Sequence, residues 1–302
     1  MLQIVIFSCN RAMQLDALLE SVKKYLLLQD YEIGVLYNTS DNKYQLGYDI
    51  LIEKYKDISF YKECSQLFTT YSFAELTNLF NIKLLYLCSH LRREKTNFRH
   101  LLLKVLRKSR TPFTMFLTDD SVFIRPTKLE LKDLDWINES PSERQLSLRH
   151  GEEVIGERNI RFTDTGFEWS FTDYDNNDHW GYRFSLDAHI YSRITLTSLL
   201  KKASFSNPNT LESSVLLHSC HKKMFSKGRC FRRMGILSYP INIVQTTFSN
   251  KALNAKPSLL NDYYIEGYRL DYPVLKDFSS FQIYPVCIYL CKGGKRIILP
   301  VQ

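Results

Sequence analysis

The chain has 302 residues, of which 44% are hydrophobic and 24% are charged. This composition is that of a folded globular protein and excludes a disordered chain, while the length allows one large domain with a smaller lobe. The formal net charge of +8 predicts an anionic partner, such as a phosphorylated substrate or acidic lipid headgroups.

The sequence predicts a reduced, cytoplasmic protein. Its seven cysteines are odd in number and include no CxxC pair, so neither a zinc site nor a disulfide framework is expected. Met1 leads directly into an apolar run that lacks the features of a signal peptide. No apolar stretch approaches the ~18–20 residues that are needed to span a bilayer.

The first sixty residues alternate between strand and helix patterns. Leu2–Cys9 is a continuous apolar run, which is typical of a strand buried on both faces, and Asn10 is a candidate cap for the helix that follows. Ile33–Tyr37 predicts a second strand, Tyr48–Tyr55 a helix and Ile58–Tyr61 a third strand. This order predicts an α/β sheet with right-handed crossovers.

Positive charge is concentrated between residues 91 and 110, where it alternates with apolar residues and predicts an amphipathic helix with a basic outer face. The basic residues are Arg92, Arg93, Lys95, Arg99, Lys104, Arg107, Lys108 and Arg110. This face is either simply solvated or rests on an anionic membrane, which would make the protein peripheral on the inner membrane face. Nucleic acid is not expected as a partner, because no recognisable nucleic-acid module surrounds the patch.

Phe113–Leu117 predicts another buried strand, and Asp119 and Asp120 follow its end. Open parallel sheets bind ligands beyond the carboxyl ends of their strands, so these aspartates should converge with Ser8–Arg11 and Asn38–Asp41. Two adjacent carboxylates repel each other unless a cation offsets their charge. Mn²⁺ or Mg²⁺ held by both would do so and bridge to a diphosphate, although an acidic turn also explains the pair.

Two segments resemble motifs of GT-A fold glycosyltransferases. Ile6–Leu15 is similar to their first strand and turn, and Phe116–Asp120 is similar to their DxD-type metal motif. The resemblance covers roughly Leu2–Ser219. It implies a Rossmann-like, mixed and mostly parallel sheet flanked by helices. It also implies transfer of a hexosyl group from a UDP- or GDP-type nucleotide-sugar to a glycan or lipid-linked acceptor, as in bacterial polysaccharide biosynthesis.

The same resemblance implies a nucleotide pocket lined from the ends of the first strands, with Asn38 and Asp41 near the base or ribose. The implied cofactor-binding residues are Ser8, Asn10, Arg11, Asn38, Asp41 and Asp119. A helix cap alone explains Asn10. Arg11 at a helix start opposes the helix dipole, a conflict that an anionic ligand would offset. Because the triplet reads Thr-Asp-Asp, it stays open which carboxylate touches the metal.

The acceptor half of such enzymes resembles residues 184–212, where Glu212 takes the position of the catalytic base. An inverting enzyme needs a base because the acceptor hydroxyl must lose its proton as it attacks. Alternatively, Glu212 forms a capping box with Asn209. Asp187 is the rival catalytic carboxylate, because an unpaired charge in an apolar strand is costly, and His189 is its candidate partner.

Aromatic residues beyond position 160 predict the acceptor site. Trp169, Trp180 and Tyr182 resemble a sugar-binding rim, since aromatic faces stack on pyranose C–H surfaces, and His189 completes the acceptor-binding set. The alternative is an irregular loop that the tryptophans anchor in the core.

The sequence therefore predicts a catalytic domain over residues 1–238, with a nucleotide-binding half (about 1–125) and an acceptor half (about 126–238). Residues 239–302 would form a C-terminal lobe packed on this domain. The predicted function is metal-assisted glycosyl transfer. Two alternatives stay open, namely a sugar-nucleotide nucleotidyltransferase and a non-catalytic glycan-binding protein. The first usually carries a Gly-rich loop after its first strand, and residues 8–13 contain no glycine.

Overall fold

The computed structural model describes residues 1–65, 96–158, 160–175, 178–221, 224–242, 244, 255–272 and 279–300. The strands in these ranges are β1 Leu2–Cys9, β2 Leu26–Leu27, β3 Tyr31–Asn38, β4 Ser59–Lys62, β5 Phe113–Thr118, β6 Ser121–Phe123, β7 Thr127–Lys128, β8 Arg144–Ser147, β9 Arg161–Phe162, β10 Gly166–Ser170, β11 His189–Ser192, β12 Lys227–Phe231, β13 Ile236–Ser238, β14 Arg269–Leu270, β15 Cys287–Lys292 and β16 Lys295–Pro300. The helices are α1 Ala12–Tyr25, α2 Asn42–Lys54, α3 Phe98–Lys108, α4 Leu131–Asn138, α5 Arg193–Leu200, α6 Pro208–His221 and α7 Pro257–Ile265.

A nine-stranded sheet in the order β4-β3-β1-β5-β11-β8-β12-β10-β9 forms the centre of the molecule. The first four strands are mutually parallel, and β11 then runs antiparallel to both β5 and β8. The predicted mixed α/β sheet flanked by helices is therefore confirmed. The parallel half carries the β-α-β-α-β order read from the first sixty residues.

Successive side chains of β1 enter two different cores, because they point to opposite faces of the sheet. Ile4 and Ile6 pack in the core that contains Leu15 of α1. Val5 and Phe7 pack in the core that contains α3. A strand covered on both faces has to be apolar throughout, which explains the uninterrupted run in the sequence.

The basic amphipathic helix exists as α3, which begins at Phe98 rather than near residue 91. Its apolar side is buried, while Lys104, Arg107 and Lys108 are exposed. Arg99 donates to the backbone oxygens of residues 200, 201 and 203, so it ties α3 to the end of α5. The other predicted residues, Arg92, Arg93 and Lys95, lie outside the described residues.

The C-terminal part packs against elements that flank the main sheet. Strand β13 pairs with β6, directly after the end of β5, and α7 packs against α1 and α2. The buried carboxylate of Asp16 in α1 pairs with Arg269 Nε at 2.9 Å. In the described part of the chain, no helix is both long enough and apolar enough to span a bilayer.

Candidate active site

The carboxyl ends of β1, β3 and β5 lie side by side. Cys9 pairs with Asn38 across β1 and β3, and Phe7 pairs with Thr118 across β1 and β5. This register brings the polar segments 8–11, 38–41 and 118–121 to one edge of the sheet. Convergence of these three segments, expected from the strand order, is present in the structure.

A buried network, here called the Arg11 cluster, is formed by Ser8, Arg11, Tyr48, Asp119 and Asn242. Asp119 is only 3% exposed. Its Oδ1 accepts from Arg11 Nη1 at 2.8 Å, and its Oδ2 accepts from Ser8 Oγ at 2.9 Å and from the amide of residue 9 at 3.1 Å. The Ser8 hydroxyl also lies 2.6 Å from the Tyr48 hydroxyl. Both carboxylate oxygens are thus bound by protein groups.

Arg11 supplies the cation that the paired aspartates require. Its Nη1 lies 2.8 Å from Asp119 Oδ1 and 3.6 Å from Asp120 Oδ2. Its remaining donors are bound as well, since Nε donates to Asn242 Oδ1 at 2.7 Å and Nη2 donates to the Asn242 carbonyl. Burial raises the pKa of Asp119, and the nearby Arg11 opposes this shift.

Ser8, Arg11 and Asp119, the residues expected to contact the ligand directly, bind one another in the structure. All three residues are at most 9% exposed, and their polar side-chain atoms are bound within the Arg11 cluster. Their contacts with one another shape the sheet edge. Arg11 also offsets its conflict with the helix dipole through Asp119, without an external anion.

Asp120 differs from its neighbour because its side chain is 23% exposed. Among the described residues, no group of three or more His, Cys, Asp or Glu side chains is arranged to hold a metal. Mg²⁺ is commonly bound through one or two carboxylates, with substrate phosphates and water completing the octahedron. The donor set at this edge fits that mode, with Asp120 as the protein ligand.

Asn10, Asn38 and Asp41 lie at the exposed part of the edge. Asn10 adopts a positive φ of 55°, and its side chain accepts from the Ser40 amide at 2.9 Å and donates to the Ser40 hydroxyl at 3.2 Å. It is therefore not the cap of α1, whose N-cap is Arg11 without a side-chain bond. Asp41 caps α2 through the amides of residues 43 and 44.

A second group of polar residues, here called the Glu212 cluster, consists of Arg149, Tyr182, Asp187 and Glu212. Asp187 accepts from Thr118 Oγ1 at 3.0 Å through Oδ1 and from Arg149 Nη1 through Oδ2. Since Thr118 directly precedes Asp119, the two clusters adjoin each other. Asp187 lies just before β11 rather than inside the strand, so the environment assumed for it from the sequence was wrong.

Glu212 lies in the second turn of α6, away from the helix cap. Asn207 and Thr210 form the reciprocal cap, because Asn207 Oδ1 accepts from the Thr210 amide at 2.9 Å and Thr210 Oγ1 accepts from the Asn207 amide at 3.0 Å. The expected capping box between Asn209 and Glu212 is therefore wrong. Glu212 Oε1 accepts from the Leu186 amide at 3.0 Å instead, and the Tyr182 side chain interacts electrostatically with the carboxylate.

The Glu212 carboxyl group is surrounded by protein, although the residue as a whole keeps some exposed surface. Burial, followed by the negative charge of Asp187, raises the pKa of Glu212 to about 7. Burial and the nearby Glu212 also raise the pKa of the Tyr182 phenol, so this hydroxyl stays protonated. A carboxylate with this pKa is suited to accept a proton near neutral pH.

The two tryptophans belong to the core. Trp180 is fully buried and its indole N–H donates to the Val154 carbonyl at 3.1 Å. Trp169 is 7% exposed and donates to the Trp180 carbonyl at 3.0 Å. The acceptor-binding role expected of these rings is wrong, because neither has a face that a sugar could reach. Tyr182, the third predicted rim residue, contacts Glu212.

His189 is also buried and therefore cannot contact an acceptor. It is 1% exposed, with Nδ1 lying 2.7 Å from Gln145 Oε1 and Nε2 lying 3.1 Å from Ser147 Oγ. Burial lowers the pKa of His189 to about 3, so the ring is neutral. Both its acceptor role and its predicted pairing with Asp187 are therefore wrong, and Arg149 is the missed partner. No local pattern pointed to Arg149, since the preceding strand, Arg144–Ser147, is mostly polar.

Comparison with solved structures gives distant similarities to glycosyltransferases. TarS of S. aureus is 19% identical, with 76% of this chain and 34% of TarS covered and a TM-score of 0.39. A TarS 1–349 structure in complex with UDP-GlcNAc is 16% identical, covering 77% and 59% of the two chains, with a TM-score of 0.36. A mannosyltransferase from Pyrobaculum calidifontis in complex with GDP-Man and Mn²⁺ is 13% identical, covering 48% and 34%, with a TM-score of 0.30.

This chain thus spans between about one third and three fifths of the length of the TarS structures. No protein-family model matches the sequence, and no curated protein matches it. At such low identities and TM-scores these similarities assign no activity to the chain, so the function has to be argued from the two clusters.

Proposed function

We propose that the protein is a glycosyltransferase that moves a sugar from a nucleoside-diphosphate-sugar to an acceptor hydroxyl. The observation that carries this proposal is the position of Glu212. Its pKa of about 7 suits a general base, and it adjoins, through Asp187 and Thr118, the sheet edge that carries Asp120. Ligand binding at the carboxyl edge of an open sheet is the general expectation for this architecture.

In the proposed reaction, the acceptor hydroxyl gives its proton to the Glu212 carboxylate while its oxygen attacks the anomeric carbon. The bond between that carbon and the phosphate oxygen breaks, and the nucleoside diphosphate leaves with the bonding electrons. The amide of residue 186 holds the carboxylate in place. Asp187 is bound by Arg149 and Thr118, which favours Glu212 over Asp187 as the base.

The nucleotide would bind beside Asn10, Asn38 and Asp41, which lie at the exposed ends of β1 and β3. A divalent ion, Mn²⁺ or Mg²⁺, would be held by Asp120 and the donor phosphates. When bound, it would stabilise negative charge on the departing diphosphate. The Arg11 cluster would fix the direction of Asp120 by holding the residue before it.

Nucleotide binding can be tested before any acceptor is known. Thermal stability should rise with UDP or GDP in the presence of Mn²⁺, because a ligand that binds only the folded state stabilises it. Asp120→Asn should remove the metal-dependent part of this rise. Asp57→Asn, the same change at an exposed carboxylate outside this edge, is the matched control. No nucleotide-dependent rise in the wild type would contradict the proposal.

Transfer can be tested through release of UDP or GDP from UDP-glucose, UDP-GlcNAc or GDP-mannose, with water or simple glycosides as acceptors. Glu212→Gln should remove turnover and leave nucleotide binding unchanged. Binding without turnover in the wild type, over a panel of glycan and lipid-linked acceptors, would instead support a non-catalytic glycan-binding protein. Exchange of diphosphate with a sugar phosphate would support a nucleotidyltransferase.

We also propose that the exposed basic side of α3 rests on an anionic membrane. Lys104→Glu with Lys108→Glu should weaken binding to vesicles containing phosphatidylserine. The loss should be about 1 kcal/mol of binding free energy for each positive charge removed from the surface. Lys292→Glu with Lys295→Glu, in the exposed β15–β16 turn, changes the net charge equally and is the control. Equal losses for both pairs would contradict a specific surface.

A further inference from the structure

The guanidinium of Arg149 is almost completely buried and only partly paired. The side chain is 5% exposed, and Nη1 donates to Asp187 Oδ2. Its Nε and Nη2 have no hydrogen-bond partner within the part of the chain that the structure describes. Leaving buried donors of a charged group unsatisfied costs more than the usual 1–3 kcal/mol of a neutral group, so these two atoms require an explanation.

The two unpaired nitrogens form one edge of the guanidinium. The Nε–H bond and one Nη2–H bond point in parallel and match the two oxygens of a carboxylate or a phosphoryl group. In three other arginines this edge is occupied. Arg158 directs Nε and Nη2 to Asp178, Arg229 directs them to Glu168, and Arg11 directs them to Asn242. Arg149 departs from all three.

The surroundings of Arg149 leave its charge under-compensated. Burial lowers the pKa of His179 to about 4 and that of His189 to about 3, and the positive charge of Arg149 adds to both shifts. Burial also lowers the pKa of His150, which follows Arg149 in the chain. These neighbours are therefore neutral near pH 7. Asp187 is the carboxylate paired with Arg149, and it is bound through only one of the three guanidinium nitrogens.

We propose that the Nε–Nη2 edge of Arg149 binds an anionic group, phosphoryl or carboxylate, of a substrate that occupies the space beside Asp187. This inference rests on the proposed glycosyl transfer and specifies its substrate class. Because Asp187 also adjoins Glu212, the anion would lie next to the reacting centre. Arg149 Cζ also lies 5.4 Å from the centroid of the Phe281 ring, a cation–π contact.

The test measures anion binding by calorimetry for the wild type and two variants. Arg149→Lys keeps a positive charge next to Asp187 but removes the two-pronged edge, and Arg149→Met removes the charge as well. Arg158→Lys is the control, because the corresponding edge of Arg158 is already bound to Asp178. Thermal unfolding verifies that each variant is folded, and Arg149→Lys keeps the test valid if Arg149→Met fails to fold.

Three probes distinguish the source of the anion. UDP or GDP, whichever the wild type binds, reports on the donor diphosphate. UDP-glucuronic acid compared with UDP-glucose reports on a carboxylate of the donor sugar. Inorganic phosphate titrated into protein with and without bound nucleotide reports on an anionic acceptor.

Arg149→Lys should weaken the binding of at least one probe by about 10- to 100-fold, the value of one or two charge-assisted hydrogen bonds. Arg158→Lys should leave the affinity for every probe unchanged. If neither Arg149 variant changes the affinity for any probe, or the wild type binds none of the probes, the inference is overturned. Failure of the proposed function appears separately, as a wild type that binds phosphate through Arg149 but no nucleotide.

Discussion

The Arg11 cluster and the Glu212 cluster lie at the same edge of the sheet but treat their charges differently. In the first, both oxygens of Asp119 and all three nitrogens of Arg11 are bound by protein groups. In the second, two nitrogens of Arg149 have no partner within the described residues, and Glu212 has a pKa of about 7. The first arrangement fixes the geometry of the edge, whereas unpaired and perturbed groups such as those of the second are typical of functional sites.

The largest expected effect is a loss of turnover when Glu212 can no longer accept a proton. Glu212→Gln keeps the size of the side chain and removes its ability to accept a proton near pH 7. Sugar transfer should fall by about 10²–10⁴-fold, the usual contribution of a general base. Donor affinity and folding should change little. Asp187→Asn is the comparison. If Asp187→Asn shows a loss of this size while Glu212→Gln turns over at the full rate, Asp187 is the base.

The second expected effect concerns stability in the Arg11 cluster. Arg11→Met leaves the buried Asp119 carboxylate without its cation, which should lower the free energy of unfolding by about 3–5 kcal/mol. Urea unfolding measures this loss. The double variant with Asp119→Asn should recover part of it, since the uncompensated charge is then removed. A stable Arg11→Met protein would show that the cluster is not structural.

A third prediction uses the pH dependence of stability. The folded-state pKa of Glu212, about 7, exceeds its ordinary value of 4.5, so the folded state binds this proton more tightly. The resulting stabilisation is present below about pH 4.5 and is lost as the pH rises through 7. Between pH 5 and 8 the wild type should lose about 2–3 kcal/mol more than Glu212→Gln, since each pKa unit corresponds to about 1.4 kcal/mol.

The smallest expected effect concerns Asn10, at the border of the Arg11 cluster. Its φ of 55° is costly for most L-residues and free for glycine. Asn10→Ala should therefore be about 1 kcal/mol less stable than Asn10→Gly in thermal unfolding. If Asn10 also contacts the nucleotide, both variants should bind UDP or GDP equally weakly. Unequal affinities would assign Asn10 a purely conformational role.

The sequence predicted those parts of the molecule that leave a pattern among neighbouring residues. The apolar run of β1 predicted the sheet, because burial on both faces leaves a continuous pattern. The aspartate pair after β5 predicted the carboxyl edge of the sheet as the candidate site. Glu212 was found as a candidate base, but its competing role as a cap was excluded only by the Asn207–Thr210 contact. That contact depends on where α6 begins, and Asn207 rather than Asn209 is the capping residue.

Other parts depend on distant contacts and carry no such pattern. Asn242 has no local feature that links it to Arg11, and Arg149 has none that links it to Asp187. Trp169 and Trp180 have the composition of a sugar-binding rim, yet composition does not distinguish an exposed ring from one that forms the core. The cation between the aspartates was expected as a metal and is present as Arg11, because both satisfy the same electrostatic requirement.

The clamp of Asn242 on Arg11 joins residues 231 positions apart. During synthesis, a chain whose first 238 residues have left the ribosome already contains every strand of the central sheet but lacks this contact. Contacts of such long range form late, because the intervening chain must first be closed into a loop. The nascent protein would therefore carry its paired aspartates with an incompletely held arginine, and would complete the edge of the sheet only after Asn242 has docked.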